Sequence, residues 1–323
     1  MAPKQEILKS EVILQKYGHS LAGKTILVTG VSSDSIAGEL ALQLSSVDPA
    51  LLILVARAES KVTPIVEKIR ARHPNVATRF LQMDLGDLAS IRAAVDSLSD
   101  LPKIDHFISV AGVMVPPYGT TKDGFETQFG VNYLANFLLV KLLLPKIQAA
   151  GPSSSIIIVA SSAVRSGQVN FDDVGYKKGE TYDPLVAYGQ SNAARVMFAK
   201  ALAEKLEGQK IRVYSIDPGA VQSGLQRHFT PELTDTVTSL ANAGQMRDLD
   251  GKPYSLPPWT TRSEGAATMI TGMIDPSITD SNGAFLHNNA VAEEELHSHI
   301  RNRDNWTRLW ELSEELIGEK FSL

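Results

Sequence analysis

The sequence predicts an α/β chain, a single domain built on a doubly wound parallel sheet of about seven strands flanked by helices. Three observations predict it. Short β-branched apolar runs alternate with longer helix-like stretches, the pattern of βαβ units. The runs are almost continuously apolar instead of alternating, which suits strands covered on both faces. The 323 residues are 43% apolar, enough for one large core.

In chain order, residues 1–23 form an N-terminal extension and 24–323 the domain. Strands are expected at 24–30, 51–57, 77–85, 105–112, 154–161, 211–219 and 283–287. Helices fill the gaps, most clearly at 124–149 and 187–206. The stretch 228–261, closing with "GKPYSLPPW", breaks this alternation and is expected to be a substrate-side lid.

Composition excludes several classes. A net charge of −5 spread over mixed residues offers no basic surface for nucleic acid. With no cysteine there are no disulfides, thiolate metal sites or cysteine nucleophile, and no metal is expected. The start lacks the long apolar run of a signal peptide. The most apolar segment, "NFLLVKLLLP", is short and carries Lys141, so no membrane span is expected and a cytoplasmic protein is.

The first strand runs into "TGVSSDSIAGEL", a glycine turn opening a helix. Such a turn aims backbone N–H groups and a helix N-terminus at a pyrophosphate. Gly30, Ser32, Ser35 and Ile36 are the candidate contacts, although Ser35 and Ala37 stand where further glycines would be expected. The second strand ends without an acidic residue for a ribose. Arg57 stands there instead, and a guanidinium grips a 2′-phosphate, so NADP(H) is expected over NAD(H).

With that turn, "QMDLGDLASIR", "VAGV", "GVNYLANFLL", "IIIVASSA", "AYGQSNAAR" and "IDPGAVQSGLQRH" follow in order. Together they resemble the short-chain dehydrogenase/reductase superfamily, in its retinol-dehydrogenase-like, fungal-type branch, over nearly the whole chain. The resemblance implies a single-domain Rossmann fold. It assigns Asp84 and Leu85 to the adenine, and Ala111 and Gly112 to the adenosine ribose. Pro218, Gly219, Val221 and Ser223 fall to the nicotinamide and pyrophosphate, and Asn132, Ser162 and Tyr188 to catalysis. Ser109 and Val110 replace the two asparagines usual before Ala111. Relatives pair through their long helices, here 124–149 and 187–206, implying a homodimer.

The departure lies four residues after Tyr188. The family's lysine is Asn192, on the same helix face. Its amide can still serve ribose hydroxyls but supplies no charge. A cation about 4 Å away is worth roughly 1–4 kcal/mol, or about 1–3 pKa units on a tyrosine. Alcohol oxidation, which needs phenolate, is therefore expected to be suppressed about tenfold to thousandfold, and reduction, which needs phenol, to survive. Arg195 continues the stripe at i+7. It reads first as a structural arginine bound to a carboxylate or carbonyls, and second as a cation returning charge one turn deeper.

The function expected is NADP(H)-dependent reduction of a carbonyl on a bulky apolar molecule, with Tyr182, Phe229, Tyr254 and Trp259 near the pocket. Rival readings stay open. One is a non-redox dehydratase, isomerase or cyclase of secondary metabolism using Tyr188 and Ser162. Others are a catalytically inactive cofactor-binding protein and an inactivated lysine-to-asparagine variant.

Overall fold

The computed structural model describes residues 7–323; the first six residues of the N-terminal extension lie outside the described residues. The strands are β1 (Thr25–Thr29), β2 (Leu51–Ala56), β3 (Ala77–Gln82), β4 (His106–Ser109), β5 (Ser155–Val159), β6 (Arg212–Asp217), β7 (Ala220–Val221), β8 (Trp259–Thr260), β9 (Phe285–His287) and β10 (Ala290–Val291). The helices are α1 (Ser10–Tyr17), α2 (Ile36–Leu44), α3 (Glu59–Arg72), α4 (Leu88–Asp96), α5 (Ala135–Ala150), α6 (Pro184–Lys205), α7 (Pro231–Asn242), α8 (Arg262–Ile274), α9 (Ser298–Arg301) and α10 (Arg303–Ile317).

Eight strands form one sheet in the order β10-β9-β6-β5-β4-β1-β2-β3. All neighbours are parallel except β10 on β9. The seven expected strands are all present. The eighth, β10, is a two-residue antiparallel edge, too short to leave a periodic signal. The order reverses between β1 and β4, and ligands of such sheets bind at the carboxyl ends beside this switch point. Two apolar cores lie on the sheet's two faces. One, around Leu27, Phe107 and Phe137, is covered by α4, α5 and α6. The other, around Ile26, Leu54 and Met269, is covered by α2, α3 and α8.

The N-terminal extension is tied to the domain by α1. Ser10 N–H donates to Ser263 Oγ at 3.1 Å, and Ser10 Oγ donates to the Ser263 carbonyl at 2.6 Å. The 228–261 stretch is less irregular than expected, because Thr230 caps α7 and Pro231 opens it. A proline in the first helical turn loses no hydrogen bond.

The apolar segment is longer than the run in sequence. Phe129–Ala150 is 22 residues of continuous helix, long and apolar enough to cross a membrane by length and composition, but mostly buried inside this domain. It begins with a π-helical turn, Phe129–Leu134, a device found mostly at functional sites. The second helix of the expected pairing face, α6, is buried from Ala187 to Ala203. α10 covers it, with Trp310 against Phe137 and Phe198. Pairing through that face would require α10 to leave it.

One buried histidine gives this fold an acid limit. His106 on β4 is 3% exposed and bonds Ser155 Oγ at 2.8 Å. Burial pushes its pKa down from 6.5 to about 3. The unfolded chain therefore binds a proton that the folded chain refuses between those values. Stability is complete above pH 6.5 and is lost as pH falls towards 3, by about 1.4 kcal/mol per pH unit from this group. Denaturant melts between pH 4 and 7 should show that slope, and His106→Gln should flatten it.

Candidate active site

The site gathers where β1, β4, β5 and β6 end. Gly30 leaves β1 at φ +80°, and a Cβ there would lie 2.9 Å from Ala111 Cα, so only glycine lets these two strand ends meet. Ser35 caps α2, its Oγ accepting from Gly38 N–H at 2.9 Å and from Ser32 N–H at 3.0 Å. A Cβ on Gly38 would strike the Ser32 carbonyl at 2.0 Å. The turn is thus a small-residue cradle at a helix N-terminus, a shape that fits a pyrophosphate. Asp34 sits within it, its carboxyl held below the usual range mainly by the Ser32 hydroxyl. The chain after β7 seats on the same turn, with Gly224 N–H donating to the Asp34 carbonyl at 3.3 Å.

Arg57 is exposed just past β2 and has no carboxylate within ion-pair distance among the described residues. Asp84 is exposed past β3 and folds its Oδ1 onto Gly86 N–H, while Leu85 is buried. Ala111 N–H and Val110 N–H both donate to Thr29 Oγ1. Ser109, where the resemblance leads one to expect asparagine, donates instead to Asn136 Oδ1. The Pro218–Gly219 turn is held by Asp217 Oδ1, which accepts from Gly219 N–H at 3.0 Å. Val221 lies in β7, and Ser223 caps the turn that follows.

Asp183 caps α6 and Pro184 begins it, which sets Tyr188 in the second turn, 9% exposed. Asn132 projects from the π-helical turn. Its Oδ1 accepts from Val113 N–H at 2.8 Å, and its Nδ2 donates to Ser191 Oγ at 3.0 Å. The serine beside Tyr188 is Ser161, one residue before the one expected. Ser162 starts a short 3-10 turn, whereas Ser161 caps it, accepting from Ala163 N–H at 3.3 Å, and the Ser161 hydroxyl pulls the Tyr188 pKa down. The turn is pressed onto α6 because a Cβ on Gly167 would lie 2.1 Å from the Gly189 carbonyl. The signal was present as two adjacent serines at a strand end, which the local pattern does not tell apart.

Asn192 is fully buried and donates through Nδ2 to the Tyr188 carbonyl at 2.8 Å. Its Oδ1 has no partner. Arg195 is 4% exposed. Its Nε donates to the Asn132 carbonyl and its Nη2 to the Ala111 carbonyl, at 2.5 and 2.6 Å. No carboxylate pairs with it among the described residues. The structural expectation for Arg195 is met by the two carbonyls, yet they leave its charge uncompensated. Burial lowers its pKa to about 10, so it stays a cation near neutrality. Burial also raises the Tyr188 pKa, and Asp217 adds to that, against the opposing pull of Ser161, Arg195 and Asn192.

A helix-face tyrosine, a serine at the end of β5 and an asparagine in a π turn thus converge beside a dinucleotide-shaped cradle. A model of the family described as short chain dehydrogenase matches residues 24–234. The chain belongs to that family. It is an oxidoreductase of the retinol-dehydrogenase-like kind. Human retinol dehydrogenase 14 is 30% identical over 310 residues, covering 92% of this chain and 87% of the relative. Human retinol dehydrogenase 13 is 38% identical over 258 residues, covering 73% and 77%. Among solved structures, a Mycobacterium paratuberculosis protein superposes with a TM-score of 0.67 at 24% identity, over 94% of this chain and 96% of that one. L-sorbose reductase from Gluconobacter frateurii, complexed with NADPH and L-sorbose, gives 0.60 at 20% identity, over 83% and 95%. At those identities the likeness is one of fold.

Of the aromatic residues expected near the pocket, Tyr182 is committed elsewhere. Its hydroxyl donates to the Pro116 carbonyl and its ring packs edge-on against Tyr118 and Tyr176. Trp259 is 69% exposed, and Leu240, Leu249 and Leu256 of the same stretch are exposed too.

Proposed function

We propose that this chain reduces the carbonyl of a bulky, apolar small molecule with NADPH as reductant. Tyr188 would act as proton donor, Ser161 as second holder of the reacting oxygen, and Arg195 as the charge that the family places on lysine. The observation that carries this reading is the burial of Tyr188 beside the buried cation of Arg195, with the Ser161 hydroxyl and Arg195 both favouring its ionised form against burial. Burial keeps it a phenol through neutrality, the form that can protonate a developing alkoxide. An enzyme cannot change the overall equilibrium at one pH, so the raised pKa sets the pH at which oxidation becomes fast. The exposed apolar side chains of residues 240–259 support a bulky apolar substrate.

A bound nicotinamide cofactor would supply the hydride. Gly30, the N-terminus of α2 and the Pro218–Gly219 turn would hold it. Arg57 supports the 2′-phosphorylated form, since its guanidinium has no competing carboxylate. A charge-assisted hydrogen bond is worth about 1.5–3 kcal/mol. Arg57→Ala is therefore expected to weaken NADPH binding about tenfold to hundredfold and to leave NADH binding nearly unchanged, as read by fluorescence titration.

The deciding experiment incubates candidate ketones with NADPH carrying deuterium at the transferable C4 position. Deuterium on the carbinol carbon supports the reductase. Product formed without deuterium would overturn it in favour of a dehydratase, isomerase or cyclase. Cofactor binding without any product from a broad ketone panel would favour a binding protein.

A further inference from the structure

Beside the site, on the same sheet edge, lies a second set of buried polar groups that the reaction as described leaves unused. β5, β6 and β9 are consecutive strands, and their ends carry Ser161, Asp217 and His287 in that order. Ala160 N–H bonds the Ile216 carbonyl, and Asp217 is in register with His287. Neighbouring strands are about 4.8 Å apart, so Asp217 stands between the serine that meets Tyr188 and the histidine beyond. Asp217 is 1% exposed and His287 is nine-tenths buried. The Asp217 Oδ2 and the His287 Nε2 face each other at 4.0 Å, and neither has a hydrogen-bond partner.

The chain of groups continues outward. His287 Nδ1 contacts Glu295 Oε1 at 3.0 Å, and Glu295 pairs with Arg165. His287, Glu295 and Arg165 line a cavity of about 300 Å³, which Tyr254 and Lys252 of the 228–261 stretch help to wall. Two carboxylates with an imidazole between them thus run from this cavity to the strand end beside Ser161. A buried carboxylate oxygen left without a hydrogen bond, as Asp217 Oδ2 is, is costly unless function retains it.

We propose that Glu295, His287 and Asp217 form a proton relay that reloads Tyr188 from this cavity. The proposal rests on the reductase reading. When the Tyr188 hydroxyl gives its proton to the substrate oxygen, the O–H bond of the new alcohol forms and a phenolate remains. A proton from the Asp217 carboxyl restores the phenol. The imidazolium of His287 reprotonates Asp217, and water in the cavity, exchanging at Glu295, reprotonates His287. No electrons move in these steps.

The charges agree with that direction. Burial raises the Asp217 pKa against the pull of His287, so its acid form is accessible. Burial opposes a charge on His287, but Glu295 and Asp217 outweigh it and raise its pKa. The other charged groups facing the set are Arg165, which disfavours the imidazolium, Lys252, which favours the Glu295 carboxylate, and Asp248 and Glu294 on the cavity wall.

The test uses the full chain, unmodified and as His287→Gln and Asp217→Asn, with two readouts. The first needs no cofactor. Imidazole NMR should show His287 titrating above the free-histidine value, and Asp217→Asn should lower its midpoint. A midpoint indifferent to Asp217→Asn would overturn the relay. The second compares steady-state reduction with single-turnover deuterium transfer from labelled NADPH. His287→Gln should lower steady-state turnover about a hundredfold, keep the single-turnover transfer, and recover when imidazole is added to the buffer. Unchanged turnover, or a loss that imidazole does not restore, would also overturn the relay while leaving the reductase reading intact. Absence of deuterium transfer in the unmodified protein would instead overturn the reductase reading, and the relay with it.

Discussion

Arg195→Met will raise the pH at which Tyr188 ionises, because it removes a cation whose field favours the phenolate. The tyrosine is already held up by burial, and Arg195 is among the groups that pull it back. With the guanidinium gone, the phenolate fraction near pH 8 drops, and the rising limb of the oxidation profile moves to higher pH with it. Reduction near pH 7 keeps its proton donor. Stability falls as well, since the Ala111 carbonyl loses its donor, at a cost of about 1–3 kcal/mol, whereas the Asn132 carbonyl keeps Asn136 Nδ2 at 2.6 Å. The measurement is oxidation rate against pH together with the absorbance of the phenolate. A melting temperature that drops while both pH profiles stay in place would make Arg195 a structural arginine only.

Asn192→Lys will be poorly tolerated alone and well tolerated together with Arg195→Asn. Residues at i and i+3 on a helix are neighbours, and both of these side chains are buried. Two cations there repel, and a lysine so placed sheds its proton or costs stability. In the Arg195→Asn background the repulsion is absent, and the lysine supplies the single charge from four residues after Tyr188. Oxidation lost in Arg195→Asn should then return about tenfold to thousandfold when Asn192→Lys is added. The double-mutant coupling in stability should be about 0.5–3 kcal/mol in favour of the pair. Additive effects in both rate and stability would mean that the two positions do not exchange one charge.

Much of the fold was legible because its signals are local. An apolar strand, a glycine-containing turn and a helix cap are each written within a few residues, and seven such strands survive in the structure. β10 left no such signal, being a two-residue edge. Residues 231–242 were hidden in a polar, proline-bounded stretch, although Thr230 and Pro231 are a helix start that could have been read. Of the expected group, Asn132 reaches α6 through Ser191, and Ser161, not Ser162, is the serine that acts on Tyr188.

The sequence by itself determined the strand–turn–helix order, the family, the tyrosine and the loss of the lysine. These depend on residue types at short spacings, which any chain with this covalent order carries. Only the tertiary structure decided that Ser161 is the serine acting on Tyr188, because β5 and α6 come together only in the fold. It also decided that Arg195 is fixed by the carbonyls of Ala111 and Asn132, and that Asp217, His287 and Glu295 form one buried row. Those contacts join segments tens of residues apart. Nothing in local periodicity encodes them, since burial and charge pairing arise only when the parallel strands place their carboxyl ends side by side.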